Sequence, residues 1–129
     1  FKTKKDRKIK VGLGIPLFKF SALQSGGDFR IDSELGKGTS IEATFQLNNI
    51  DRPPLGNLLD TIISIIIGHQ NINFDISIYN NGMLFHLNTA DIKNELEGIP
   101  LNYPDVYNFL VQFISQGLSE INLDPQKTY

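Results

Sequence analysis

Apolar residues recur at helical spacing in one stretch near the start of the chain and then alternate with polar residues. The spacing predicts a helix over residues 15–25, and Pro16 suits its first turn, where a missing N–H costs nothing. Alternation then predicts two strands, at 29–34 and 41–47, joined by a glycine-containing turn. The first part of the chain is therefore expected to be a helix followed by a hairpin.

A second helix and hairpin follow a stretch rich in Pro, Gly and Asn at 48–57. Leucine and isoleucine at helical spacing predict a helix over 58–67, although isoleucine also favours strands. Alternation predicts strands at 72–78 and 83–87 around an Asn-Gly pair, which is the strongest short signal of a hairpin. Both parts of the chain therefore place a helix before an antiparallel pair of strands.

Two more helices are predicted after the second hairpin. Thr89 is a suitable N-cap for a helix over 90–97, and Pro104 begins a last helix whose apolar stripe reaches Ile121. Together the patterns predict an α+β protein. We expect an α/β sandwich in which antiparallel hairpins carry helices packed on one face.

Composition narrows the class of protein. The chain has 129 residues, a formal net charge of −2 and no cysteine, so disulfides, thiolate metal sites and a cysteine nucleophile are excluded. Its most apolar stretch, 58–68, is about half the ~20 residues that a membrane span needs. The charged start of the chain does not resemble a secretory signal. We expect a cytoplasmic protein with no membrane or nucleic-acid partner.

The first ten residues are strongly basic. They contain six Lys or Arg and one Asp, which is typical of a solvated arm. The alternative is a basic flap beside an anionic ligand. On that interpretation the basic side chains of residues 2–10 would lie beside the ligand.

Two glycines precede the first predicted helix in the run Gly12-Leu13-Gly14-Ile15. The N-terminus of a helix has unpaired N–H groups and a partial positive charge, and glycines before it let a phosphate approach the backbone. A short glycine motif also marks many ordinary turns, so a tight start to the helix explains it equally well.

The order of these features resembles the ATP-binding domain of sensor histidine kinases, in the superfamily of DNA gyrase and the mismatch-repair protein MutL. The likeness covers residues 1–47 and comprises the glycine box, a helix, the Gly26-Gly27 stop, and Gly-Lys-Gly-Thr at 36–39 before a strand. The stretch from Ile50 resembles the C-terminal extension of small ATP-binding proteins of anaerobic bacteria, some of them associated with iron-only hydrogenase.

The resemblance implies that ATP, with Mg²⁺, is the ligand of the parent protein. Thr39 would join the hydrogen-bond network around the adenine, and Lys10 stands where the family usually has another glycine. The residues implied to bind nucleotide are Lys4, Lys5, Arg7, Lys10, Gly12, Leu13, Gly14, Ile15 and Thr39.

Two parts of the family's site do not occur in this sequence. The Mg²⁺-binding asparagine and the Asp-x-Gly-x-Gly box that reads adenine both precede the phenylalanine box, whose last residue Phe1 resembles. Neither His69 nor His86 has the surroundings of a phosphoacceptor. The parent would be an ATP-dependent protein kinase of two-component signal transduction, and this fragment is predicted to be inactive and to bind nucleotide weakly.

The implied organisation has two parts. Residues 1–49 would be the C-terminal half of the nucleotide-binding domain, and residues 50–129 a helix-hairpin-helix-helix lobe. One alternative is a non-catalytic module that binds a protein partner through residues 51–123, and another is a serine kinase of the anti-sigma-factor type. Self-association is expected, as a dimer sharing a sheet, because loss of the neighbouring half of the sheet would leave a strand edge and an apolar helix face exposed.

Overall fold

The computed structural model describes residues 14–47 and 57–123. Each helix and each hairpin predicted within these ranges is present, and β2 begins at Gly38 rather than at residue 41. The elements are α1 (Gly14–Gln24), β1 (Phe29–Glu34), β2 (Gly38–Phe45), α2 (Leu58–Gly68), β3 (Phe74–Asn80), β4 (Met83–Asn88), α3 (Thr89–Leu96) and α4 (Pro104–Glu120).

All four strands belong to one mixed sheet in the order β1-β2-β3-β4. The pairs β1–β2 and β3–β4 are antiparallel, as the two predicted hairpins require. The central pair β2–β3 is parallel and had no counterpart among the sequence predictions. Parallel neighbours need a crossover connection, and α2 provides it between β2 and β3. The two helix-and-hairpin units therefore share one sheet.

The helices cover one face of this sheet. In β2 and β3 every second residue is buried, while the residues between them are partly or fully exposed. The buried strand residues form one core with apolar residues of α1, α2 and α4, including Phe18, Ile62 and Leu110. The α+β class is confirmed, and the arrangement is compatible with an α/β sandwich.

Asn80 joins three parts of the fold. It is the last residue of β3, and its side chain is fully buried. Its amide oxygen accepts the N–H of Leu47 at 2.9 Å, and its amide nitrogen donates to the carbonyls of Leu47 at 2.9 Å and Ile121 at 2.8 Å. The chain leaving β2, the end of β3 and the end of α4 are thus held together by one side chain.

The predicted cap of α3 is wrong by one residue. Asn88 is the N-cap, and its side-chain oxygen accepts the N–H groups of Ala90 and Asp91. The hydroxyl of Thr89 instead accepts the N–H of Phe74 at 2.8 Å, where β3 begins. Both residue types cap helices well, and the position of β3 determines which of them does so here.

The outer strand β1 is less buried than its alternation predicts. Only Phe29 is partly buried, through an edge contact with Phe18 of α1, and Ile31 remains 46% exposed. Three apolar residues of α1 are also exposed, namely Leu17, Phe20 and Leu23. No described helix lies over the outer half of β1, so this edge of the sandwich is open.

Candidate functional site

The predicted nucleotide-binding residues divide into two groups. Lys4, Lys5, Arg7, Lys8, Lys10, Gly12 and Leu13 lie outside the described residues. Gly14, Ile15 and Thr39 lie within them. Gly14 and Ile15 begin α1, and Thr39 is the second residue of β2.

Gly14 lies where α1 crosses close to α2. It is buried, and a Cβ at this position would lie 2.8 Å from Ile65 Cγ1 and 3.2 Å from Ser64 Oγ. This close approach is a structural reason for glycine at the start of α1. Within residues 14–47 and 57–123, no side chain accepts a hydrogen bond from the N–H of Gly14 or Ile15.

Thr39 is buried and bonded on two sides. Its Oγ1 lies 2.9 Å from Ser33 Oγ across the β1–β2 hairpin, and its N–H donates to the carbonyl of Asn73 at 2.8 Å. Ser33 and Thr39 are direct partners in the strand register, so the predicted hairpin contained the signal for their contact. The Asn73 contact could not be read from the sequence, because it depends on the parallel pairing of β2 with β3.

Gly38 brings the turn before Thr39 against the loop before β3. Its φ is +113°, and a Cβ there would lie 2.5 Å from the carbonyl oxygen of Asn73. A side chain is therefore excluded by conformation and by space. The second glycine of the Gly-Lys-Gly-Thr motif is required for this contact between backbones.

Lys93 of α3 fixes the loop that Thr39 contacts. Its Nζ donates to the carbonyls of Gln70 at 2.6 Å and Ile72 at 3.1 Å, and to Asn73 Oδ1 at 3.0 Å. Burial lowers the pKa of the Lys93 ammonium from its usual 10.5. The side chain of Gln70 also accepts the N–H of Leu101 at 3.1 Å. Loop 69–73 is thus held from both sides.

A pocket of about 360 Å³ opens between the β1–β2 turn and this loop. Its volume is at the lower end of the range of small-molecule sites, about 300–1,000 Å³. Hydroxyl, amide, apolar and charged side chains line it together with glycine backbone: Ser33, Glu34, Leu35, Gly36, Lys37, Gly38, Thr39, Asn71, Ile72 and Asn73.

Gly14 and Thr39 contact one continuous segment of the chain, which is α2 and the loop that follows it. Gly14 packs beside Ser64 and Ile65 in the last turns of α2. The chain leaving α2 runs through loop 69–73 into β3, and that loop accepts the N–H of Thr39. The end of α2 and loop 69–73 therefore connect Gly14 to Thr39, which are two of the described residues that the sequence predicts to bind nucleotide.

A divalent metal finds no ready ligand set in the described part of the chain. No group of three or more His, Asp or Glu side chains in residues 14–47 and 57–123 could hold a metal ion. His69 lies at the end of α2, and His86 is paired with Asp75 on the open face of the sheet. Binding of Mg²⁺ stays a prediction from the resemblance.

No protein-family model, curated protein or solved structure is similar enough to this chain to count as a match. Within the described ranges, no helix is both long and apolar enough to cross a membrane. The likeness to histidine kinases therefore depends on the motifs of the sequence.

Replacing Lys93 with methionine tests whether the loop beneath Thr39 depends on the ammonium. We expect a loss of about 1–2 kcal/mol in the free energy of unfolding, because several charge-assisted hydrogen bonds are removed while the aliphatic stem is kept. Hydrogen exchange at the Thr39 amide should become faster, since its acceptor Asn73 is released.

Lys37→Met is the matched control. Lys37 forms an exposed pair with Glu34 at 3.4 Å, and pairs of this kind contribute about 0–1 kcal/mol. Equal destabilisation by the two variants, or an unchanged Thr39 exchange rate in Lys93→Met, would contradict the role given to Lys93.

Proposed function

We propose that this chain is the phosphate-binding, C-terminal part of a histidine-kinase-like ATP-binding protein. The observation that carries the proposal is the arrangement of Thr39. Its side chain and N–H are fixed by Ser33 and Asn73 at a pocket, and Asn73 lies in the loop that follows α2, the helix against which α1 begins. A nucleotide needs a base contact and phosphate donors within reach of one another, and this arrangement is suited to provide both.

The chemistry of the proposed site is electrostatic. First-turn N–H groups of α1, with the partial positive charge of the helix end, would attract phosphate oxygens. The basic residues before α1, including Lys10, would add positive charge to the same region. Thr39 would contact the base through its hydroxyl, which is both donor and acceptor.

Phosphoryl transfer is not part of the proposal for this chain. It needs a held metal and an aligned acceptor, and the family's metal-binding asparagine and adenine-reading aspartate have no counterpart in this sequence. In the longer parent, the missing boxes would complete the pocket. We expect the isolated chain to bind ATP weakly and to turn it over no faster than buffer does.

A second candidate function is a non-catalytic interaction module. The exposed apolar side chains of α1 and α4 favour it, because such residues are common at protein interfaces. In that case the glycine box would serve the packing of α1 on α2, as the close approach at Gly14 allows. The two candidates differ in whether the chain binds ATP.

Nitrogen-15 NMR titration with ATP distinguishes them. We expect shift changes at the amides of 12–15 and of Thr39, with an affinity on the order of millimolar, because only about half of the family's pocket is present. Lys10→Gln should weaken binding several-fold. Arg30→Gln should not, because Arg30 is exposed on the opposite, open face of the sheet beside Glu42.

The proposal would be refuted by shift changes confined to other amides, or by no shift changes at the highest ATP concentration used. The interaction module would then be the remaining candidate function. Equal effects of the Lys10 and Arg30 variants would show that ATP responds only to the net charge of the chain. An ATP hydrolysis rate well above that of buffer would contradict the predicted inactivity.

A further inference from the structure

One edge of the sheet, β4, lacks the usual protection against pairing. Natural edge strands carry charges, proline or bulges that discourage another strand from binding. β1 has Arg30, Asp32 and Glu34, whereas β4 reads Met-Leu-Phe-His-Leu-Asn and pairs regularly with β3 along its whole length. β4 is therefore the edge more open to strand addition.

The hairpin geometry determines which groups of β4 are available. Its turn is the two-residue pair Asn81-Gly82, with φ of 52° and 85°, so Asn80 and Met83 form the first hydrogen-bonded pair. Hydrogen-bonded and non-hydrogen-bonded pairs alternate along the hairpin from that pair. Leu84 and His86 are in non-hydrogen-bonded pairs, so their N–H and C=O groups point away from β3. No main-chain group within residues 14–47 and 57–123 bonds to them from outside the hairpin.

Aromatic side chains extend above the same edge. Phe113 of α4 packs on Phe85 of β4 with ring centroids 5.7 Å apart, and Phe109 stacks on Phe113 at 5.8 Å. Phe109 is 54% exposed and Phe113 40%, although the neighbouring Leu110 is fully buried. The strand edge thus has unpaired polar backbone beside an exposed apolar helix face.

We propose that a second copy of this chain occupies this edge, with its own β4 antiparallel to the first, to form a continuous eight-stranded sheet. The twofold axis would pass at Phe85. Leu84 of one copy would then exchange both main-chain hydrogen bonds with His86 of the other, and the reverse pair would do the same. In each copy, β4 has the N–H and C=O groups of Leu84 and His86 free toward the other strand, at the positions that this register requires.

A second copy of the chain would cover both the unpaired backbone of β4 and the exposed aromatic side chains of α4. A twofold axis perpendicular to the sheet keeps the helices of both copies on one face, so the two α4 helices become neighbours. Phe109 and Phe113 would pack against the same residues of the second copy, beside the facing Phe85 rings. No like charges oppose each other across the strands, since His86 faces Leu84, and the net charge of −2 gives little repulsion.

Sedimentation of the full 129-residue chain tests the proposal independently of nucleotide binding. We expect a monomer–dimer equilibrium. Phe109→Glu should raise the dimer dissociation constant by about 30-fold or more, the effect of losing a central aromatic contact. Hydrogen exchange should show the Leu84 and His86 amides protected in the dimer and exposed in Phe109→Glu, with the far-ultraviolet circular dichroism unchanged.

Phe20→Glu and Ile31→Lys are the matched controls. They alter exposed apolar residues of α1 and of the opposite edge strand, 47% and 46% exposed, and should leave the dimer intact. A monomer at every concentration would overturn the proposal and leave the edge for a different partner. So would a dimer that Ile31→Lys dissociates while Phe109→Glu does not, or one in which the Leu84 and His86 amides exchange freely.

Discussion

Replacing Gly38 with alanine is expected to destabilise the protein by about 3 kcal/mol or more. The φ of +113° is unfavourable for any residue with a Cβ, and the added carbon would meet the carbonyl oxygen of Asn73 at 2.5 Å. That oxygen accepts the N–H of Thr39, so relieving the clash means moving backbone from both β2 and the loop before β3. Chemical denaturation would measure the loss.

Gly36→Ala in the same turn is the matched control. Gly36 also has a positive φ, +82°, but a Cβ there would meet nothing within 4 Å. It should cost about 1 kcal/mol, the conformational part alone. If the two substitutions cost the same, the close contact between Gly38 and Asn73 does not contribute to stability. Because domains of this size are stable by only about 5–15 kcal/mol, the difference is readily measurable.

Replacing Asn80 with alanine is expected to cost about 3 kcal/mol. The change leaves the buried N–H of Leu47 and the buried carbonyl of Ile121 without their partner, and each such loss costs about 1–3 kcal/mol. The carbonyl of Leu47 keeps a bond from the Asn81 side chain at 2.7 Å. Asn108→Ala, at an exposed position in α4, should change stability by no more than about 0.5 kcal/mol.

Asn80→Asp separates hydrogen bonding from volume. The aspartate keeps the size of the side chain and the acceptor for Leu47, but its carboxylate would face the carbonyls of Leu47 and Ile121. We therefore expect it to be at least as destabilising as alanine at neutral pH. If Asn80→Asp leaves the free energy of unfolding nearly unchanged, Asn80 acts by filling space. Its role in linking β2, β3 and α4 by hydrogen bonds would then be contradicted.

The structural roles of Gly38 and Asn80 could be predicted from the sequence to different extents. Gly38 belongs to a turn that the sequence predicts, but its close contact with Asn73 depends on the parallel pairing of β2 with β3. Asn80 looked like part of the Asn-Asn-Gly turn, whose residues favour turns for local reasons. Its three bonds reach Leu47 and Ile121, which are distant in sequence and adjacent only after the sheet and α4 have formed.

Part of the candidate site could be predicted in the same way. The start of α1 follows from the helix pattern, and the hairpin was predicted, but its second strand begins three residues earlier than predicted and so includes Thr39 opposite Ser33. The roles of Asn73 and Lys93 do not follow from these patterns, because they depend on which strand lies beside β2. The basic residues before Gly14 remain predictions from the motif.

The sequence by itself determined the helices, the two hairpins and the α+β class, because periodicity and turn residues act over a few positions. Tertiary structure decided the parallel pairing of β2 with β3, the N-cap of α3 and the burial of Asn80. It also left Phe109 and Phe113 exposed although they continue the apolar stripe of α4. The physical reason is that burial depends on which neighbours reach a surface, and a repeat of apolar residues shows only that they share a face.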